Sequence, residues 1–245
     1  MKKVFLLALA LVTFMGVHAQ TNIQEMYDFG KDRGYMTTTL EMFKPDKWGS
    51  TFFFVDFYHG GKHSPNGAYT EIARSLNFWQ DTKMSPLSLH VEYNGGLGYF
   101  GDNTLYGYGI NDAWLGGVDY FIHSKDFNNT LTLQVLYKKL TQNTNDIPLQ
   151  LTMVWGCKDL FGLKGLTFSG FADFWWENIM WMDEINKTKT TTVFISEPQL
   201  WYNVGRFFNC ENLNIGGEVE IANNFTGNVT KGWHVNPCLG VKWIF

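Results

Sequence analysis

Carboxylates and aromatic rings recur at every second position in several short stretches of this 245-residue chain. Phe52, Phe54 and Asp56 alternate in one stretch, and Phe171, Asp173 and Trp175 in another. Glu41, Glu71, Glu197, Glu218 and Glu220 sit on the matching face of four more. Carboxylates accept hydrogen bonds from hydroxyls and amines, and rings stack on flat apolar groups. A surface carrying both suits a neutral or weakly cationic solute with hydrogen-bonding groups and a flat part. It would repel a polyanion. The competing use of the same groups is an internal ion-pair network that fills a cavity.

Other chemistries have weaker support. Ser88 lies near His90 in sequence but in no nucleophile-elbow pattern. His59 and His63 are four apart in a glycine-rich loop, where no helix fixes the spacing for a metal. Cys157, Cys210 and Cys238 form an odd set without metal-site spacing, and they read as packing residues. A Cys210–Cys238 bridge stays open. No catalytic residue, metal or cofactor is expected.

The elements that carry these residues show a period of two. Leu131, Leu133, Val135 and Tyr137 alternate with Thr132, Gln134, Leu136 and Lys138. Leu213, Ile215, Gly217, Val219 and Ile221 alternate with Asn214, Gly216, Glu218, Glu220 and Ala222. Alternation of this kind marks strands rather than helices. Twelve are expected, at 22–29, 35–44, 48–59, 67–79, 86–98, 112–122, 130–140, 147–157, 165–176, 191–203, 212–224 and 233–245. In the last, Trp233, Val235, Pro237, Leu239, Val241, Trp243 and Phe245 share one face. No stretch supplies 18 consecutive apolar residues, so a chain that spans a bilayer must do so as a closed barrel.

The fold expected is therefore all-β: a transmembrane antiparallel up-and-down β-barrel with both termini periplasmic. Short turns would lie on the periplasmic side and longer loops outside, the latter including Tyr99 to Asn111 and Glu177 to Thr190. A soluble lipocalin-like barrel, apolar inside, is the alternative. Three features favour lipid outside. The polar faces are rich in charge. The apolar faces end in rings, namely Trp79, Tyr93, Trp155, Trp201, Trp233 and Phe245, as an interfacial girdle would. The chain also ends on Phe245, a terminal aromatic that resembles the membrane-sorting signal of outer-membrane barrels. Arg74 shares a face with Ile72, so it marks an interface or a register break.

Composition agrees with this. The chain has 21 Phe, 11 Tyr and 10 Trp, yet its mean hydropathy is only -0.17. Many rings with little net hydrophobicity imply alternation rather than apolar blocks. Lys2, Lys3, the apolar run Val4 to Val17 and the Val17-His18-Ala19 site read as a signal peptide over 1–19, with one domain over 20–245. Without that segment, 17 basic residues face 23 acidic ones, which argues against nucleic acid as a partner.

The run from Met36 to Gly49, followed by Phe52-Phe53-Phe54-Val55-Asp56, resembles the opening of the nucleoside-specific channel-forming (Tsx-like) family. Tyr69 to Arg74, Gly165 to Trp176 and Cys238 to Phe245 are similar more loosely. Tyr27-Asp28-Phe29-Gly30 and Met42 to Gly49 more closely resemble an uncharacterised family of Gram-negative outer-membrane proteins. The resemblance implies a monomeric outer-membrane channel for passive, selective uptake of small solutes, with nucleosides as the class. Phe52, Phe54, Phe171 and Trp175 would stack a base, with Glu41, Asp56, Glu71 and Asp173 on its polar edge or the ribose. Outer-membrane lipid and the barrel-assembly machinery would be partners. The alternative is a plugged barrel acting as a receptor, adhesin or structural protein through its loops, and after that an outer-membrane lipid enzyme.

Overall fold

The computed structural model describes residues 20–60, 64–100, 106–179, 189–228 and 230–245. Residues 1–19, where a signal peptide is expected, and His63 lie outside the described residues. The strands are β1 (Gln20–Asp28), β2 (Met36–Asp46), β3 (Gly49–His59), β4 (Gly67–Leu76), β5 (Leu87–Phe100) and β6 (Tyr106–His123). They continue as β7 (Asn129–Leu140), β8 (Leu149–Cys157), β9 (Leu166–Ile179), β10 in two pieces (Lys189–Ser196 and Gln199–Asn203), β11 (Leu213–Asn223) and β12 (Trp233–Ile244).

Each strand pairs antiparallel with the next, and β12 pairs back onto β1 with Ile23 opposite Trp243 and Tyr27 opposite Leu239. The sheet therefore closes with twelve strands and no free edge, which satisfies the backbone without water. The two pieces of β10 are one strand. Ser196 lies opposite Ala172 and Gln199 opposite Ser169, so no residue is gained or lost across Glu197-Pro198. Pro198 has no N–H to give to the ladder.

The polarity is inverted relative to a soluble barrel. Along β12, Trp233, Val235, Leu239, Val241 and Trp243 are exposed, while Asn236, Cys238 and Lys242 are buried. The same holds on β5, where Leu89 and Val91 face out and His90, Glu92 and Asn94 face in. This arrangement excludes the lipocalin-like alternative, whose apolar face would point inward. Among the described residues no helix is long and apolar enough to cross a membrane.

Two expectations need correction. Trp201 is not in an outer girdle; it is only 3% exposed and packs inside with Met26 and Cys238. Because β10 keeps its register through the break, Trp201 shares the inward face with Val193, Ile195, Glu197 and Gln199. The expected contrast between short turns and long loops also fails. The connection from Asn77 to Pro86 is longer than any on the opposite rim, and β5 and β6 extend as a hairpin to Phe100 and Tyr106. The glycine-rich stretch Gly107-Tyr108-Gly109 pairs as strand with Leu97, Gly98 and Tyr99, where a loop was expected from Tyr99 onward.

Outside, Tyr93 packs on Trp114 at 5.0 Å between ring centres; Trp155 lies near Phe168 at 5.9 Å but also lines the inner cavity, with its indole nitrogen buried. Trp233 and Phe245 are 68% and 69% exposed. Arg74 also faces out, and it reaches the rim carboxylate of Asp46 at 2.6 Å. The ladder runs through it without a shift, so it marks no register break.

Candidate functional site

The inward residues enclose a cavity of about 430 Å³ inside the barrel. Glu41, Phe52, Phe54, Asp56, Glu71, Phe171, Asp173, Glu197, Glu218 and Glu220 all line it. Trp175 does not. It joins Ile179, Val193, Ile195 and Ala222 in an apolar cluster, with Phe171 and Phe225 packed against it. Its indole carries the Lys138 ammonium 4.0 Å above the ring and donates Nε1–H to Glu177 at 3.0 Å. Stacking a base is therefore left to Phe52, Phe54 and Phe171 among the rings expected. Phe52 and Phe54 have ring centres 6.1 Å apart, and Tyr69, outside the cavity lining, packs against Phe54 at 6.0 Å.

Three bonded networks hold the walls. On β4 to β7, Asp119 accepts from Ser75 at 2.5 Å and from Gln134 at 2.9 Å. His90 stands between two carboxylates, with Nδ1 3.0 Å from Asp119 and Nε2 2.9 Å from Glu92. Both ring nitrogens are thus occupied, which leaves neither to activate Ser88. On β7 to β9, Lys138 donates to Gln150 at 2.8 Å, Gln150 to Thr152 at 3.0 Å, and Thr152 to Asp173 at 2.6 Å.

The third network closes the rim where β1 ends. Arg33, in the loop after β1, binds Asp28 at 2.9 Å and both oxygens of Glu220 at 2.9 Å. It also donates to Asn228 at 3.3 Å, and Asn236 donates to Glu220 and Asn228 at 2.9 and 3.0 Å. Burial opposes the Arg33 charge, but Glu220 and Asp28 outweigh it and hold the guanidinium above its ordinary range. Gly30 makes this packing possible, because a Cβ there would lie 2.5 Å from the Asn236 side-chain oxygen.

Of the remaining acids, Glu41, Asp56, Glu71 and Glu218 have single side-chain donors. Asn22 serves Glu41 at 2.8 Å, Thr39 serves Asp56 at 2.6 Å, and Tyr69 serves Glu71 at 2.7 Å. Gln199 serves Glu218 at 2.8 Å and accepts from Trp201 at 2.9 Å, while Lys242 sits 4.2 Å over the Trp201 ring. Ten carboxylates line the cavity against the three cationic side chains Arg33, His90 and Lys242. Sequence reading missed Asp28, Asp119, Arg33 and Gln24. Inward parity marks Asp28, Asp119 and Gln24 on their strands; Arg33 lies in a loop, where parity carries no signal.

The cysteines Cys157, Cys210 and Cys238 are free, and among the described residues no cluster of ligating side chains could hold a metal. His59 bonds Thr38 at 2.8 Å and Ser64 at 2.7 Å.

A closed barrel, apolar outside and polar within, has the fold of an outer-membrane β-barrel. Its backbone is similar to that of the NanC porin, with a TM-score of 0.52 at 8% identity, covering 91% of this chain and 98% of that one. OprB of Pseudomonas putida is similar at a TM-score of 0.42 and 12% identity, over 86% of this chain and 59% of that one. The first likeness bears on fold alone, and the second is too low to carry an argument. No curated protein matches the sequence. Residues 19–245 match the family described as Domain of unknown function (DUF5020), and the chain belongs to that family.

Proposed function

We propose that the protein is an outer-membrane channel for passive, selective uptake of small solutes, with nucleosides the class the sequence resemblance suggests. The observation that carries this reading is the acidic, ring-lined cavity inside a closed barrel. The excess of carboxylates disfavours anions, and Phe52, Phe54 and Phe171 offer flat apolar faces. The role requires no catalytic group. Lipid and the barrel-assembly machinery are the partners it entails, and one chain forms the whole barrel. In planar bilayers the purified protein should give single-channel steps whose current falls as adenosine or thymidine is added. A conductance unmoved by nucleosides would remove that solute class, and no conductance would remove the channel.

A second reading has its own observation. The Arg33 network and the apolar cluster around Trp175 and Val193 fill much of one rim. A barrel stoppered there would act through its loops as a receptor, adhesin or structural protein. It would pass no current, and deleting the loops would abolish its function while leaving the barrel folded.

A further inference from the structure

Nine of the ten carboxylates that line the cavity receive a hydrogen bond or ion pair; among the described residues, the side chain of Glu197 receives none. Glu197 also occupies the one break in the strand ladder of β10. Its backbone N–H bonds Phe171 O at 3.1 Å, and Val219 N reaches Pro198 O at 3.1 Å, so the break is pinned from both sides. Gly170 lies against it at φ +150°, where a Cβ would come within 2.3 Å of Glu197 O. Backbone, proline and glycine together present this one carboxylate to the lumen.

Its surroundings favour a cation. Glu218 and Glu220 on β11 and Asp56 and Glu71 on β3 and β4 are its charged neighbours. Phe171, Phe52 and Phe54 line the same cavity. Two further polar atoms of the cavity lining lack a partner among the described residues: the side-chain oxygen of Gln24, which is 1% exposed, and the indole N–H of Trp155. A carboxylate and an amide oxygen, both unfilled, want donors rather than acceptors. Rings near a carboxylate match a ligand with a cationic end and a flat end.

We propose that Glu197 is the specificity-determining residue of the lumen, and that it receives the ammonium or guanidinium group of a small aromatic cation. This deepens the channel reading and rests on it for the solute's passage, though binding itself can be measured separately.

Tyramine is the probe and 4-hydroxyphenylacetate the matched anion, titrated by calorimetry into the full chain refolded in detergent. Tyramine should bind saturably and the acid should not. Glu197→Gln should weaken tyramine by at least about tenfold, since it removes a charge-assisted contact, and Glu197→Asp should keep most of the affinity. Equal binding of both probes, binding of neither, or a Glu197→Gln protein that binds tyramine like the parent would overturn the proposal. If Glu197→Gln fails to fold, the probe pair on the parent protein still decides. A barrel that binds tyramine but passes no current keeps this site and loses the channel; one that conducts without binding loses this site alone.

Discussion

Asp119 and Glu197 are both acids on the inner face of the same barrel, yet their surroundings differ. Asp119 accepts from Ser75 and Gln134 and faces the His90 ring. Glu197 has Glu218, Glu220, Asp56 and Glu71 as charged neighbours and no donor among the described residues. The difference lies in the adjoining strands: β4, β5 and β7 bring a hydroxyl, an imidazole and an amide toward β6, whereas β11 brings more acid toward β10. A carboxylate saturated by its neighbours holds strands together, and one left open is free for a solute.

The largest effect on the saturated side should come from Arg33→Ala. Arg33 is the only cation bonded to Asp28 and Glu220 among the described residues. Its loss leaves two buried acids close together with amide donors but no countercharge, a change that costs about 3–5 kcal/mol in other buried pairs. Guanidinium unfolding in lipid vesicles should show a clearly lower midpoint. Arg33→Lys should recover only part of it, because one ammonium nitrogen cannot span Asp28 and Glu220 as the separate Nη1 and Nη2 of the guanidinium do. An unchanged midpoint for Arg33→Ala would break the link between saturation and structure.

Asp119→Ala comes next. It strands the Ser75 hydroxyl, removes the carboxylate partner of the Gln134 amide and leaves His90 with Glu92 as its one acid. Unfilled buried donors cost on the order of 1–3 kcal/mol. The loss should appear as a lower temperature for the folded-to-unfolded band shift on unboiled gels. A shift as large as that of Arg33→Ala would mean that the His90 network, not the rim, dominates the fold.

Much of this contrast is legible in the sequence, because strand parity places a side chain inside or outside once a strand is recognised. Phe52, Phe54 and Asp56, and Glu218 with Glu220, follow directly. Asp119 was equally accessible by that rule, lying between Val118 and Tyr120. What parity does not carry is who bonds whom across strands, since that depends on register. Nothing in the order of residues says that Ser75 on β4 reaches Asp119 on β6. Arg33 escapes for another reason: a loop has no period, and its side chain lines the lumen beside a Gly30 that packs closely against Asn236. Trp201 shows the opposite case, where rings at a strand end suggest a girdle but continuous register through Glu197-Pro198 puts the indole inside.

The smallest stability effect, and the sharpest test of the comparison, should come from Glu197→Gln. The substitution keeps the shape, removes no hydrogen bond made by the described residues, and relieves repulsion from Glu218 and its neighbours. The change should stay within ~0.5 kcal/mol, in the range of substitutions that break no specific contact, and its sign should be neutral to stabilising. The same unfolding measurement used for Arg33→Ala reads it directly. A loss comparable to that of Asp119→Ala would show that Glu197 is a structural acid like the other nine, with β10 depending on its charge. A flat response would place the value of that charge outside the fold, in whatever the lumen receives.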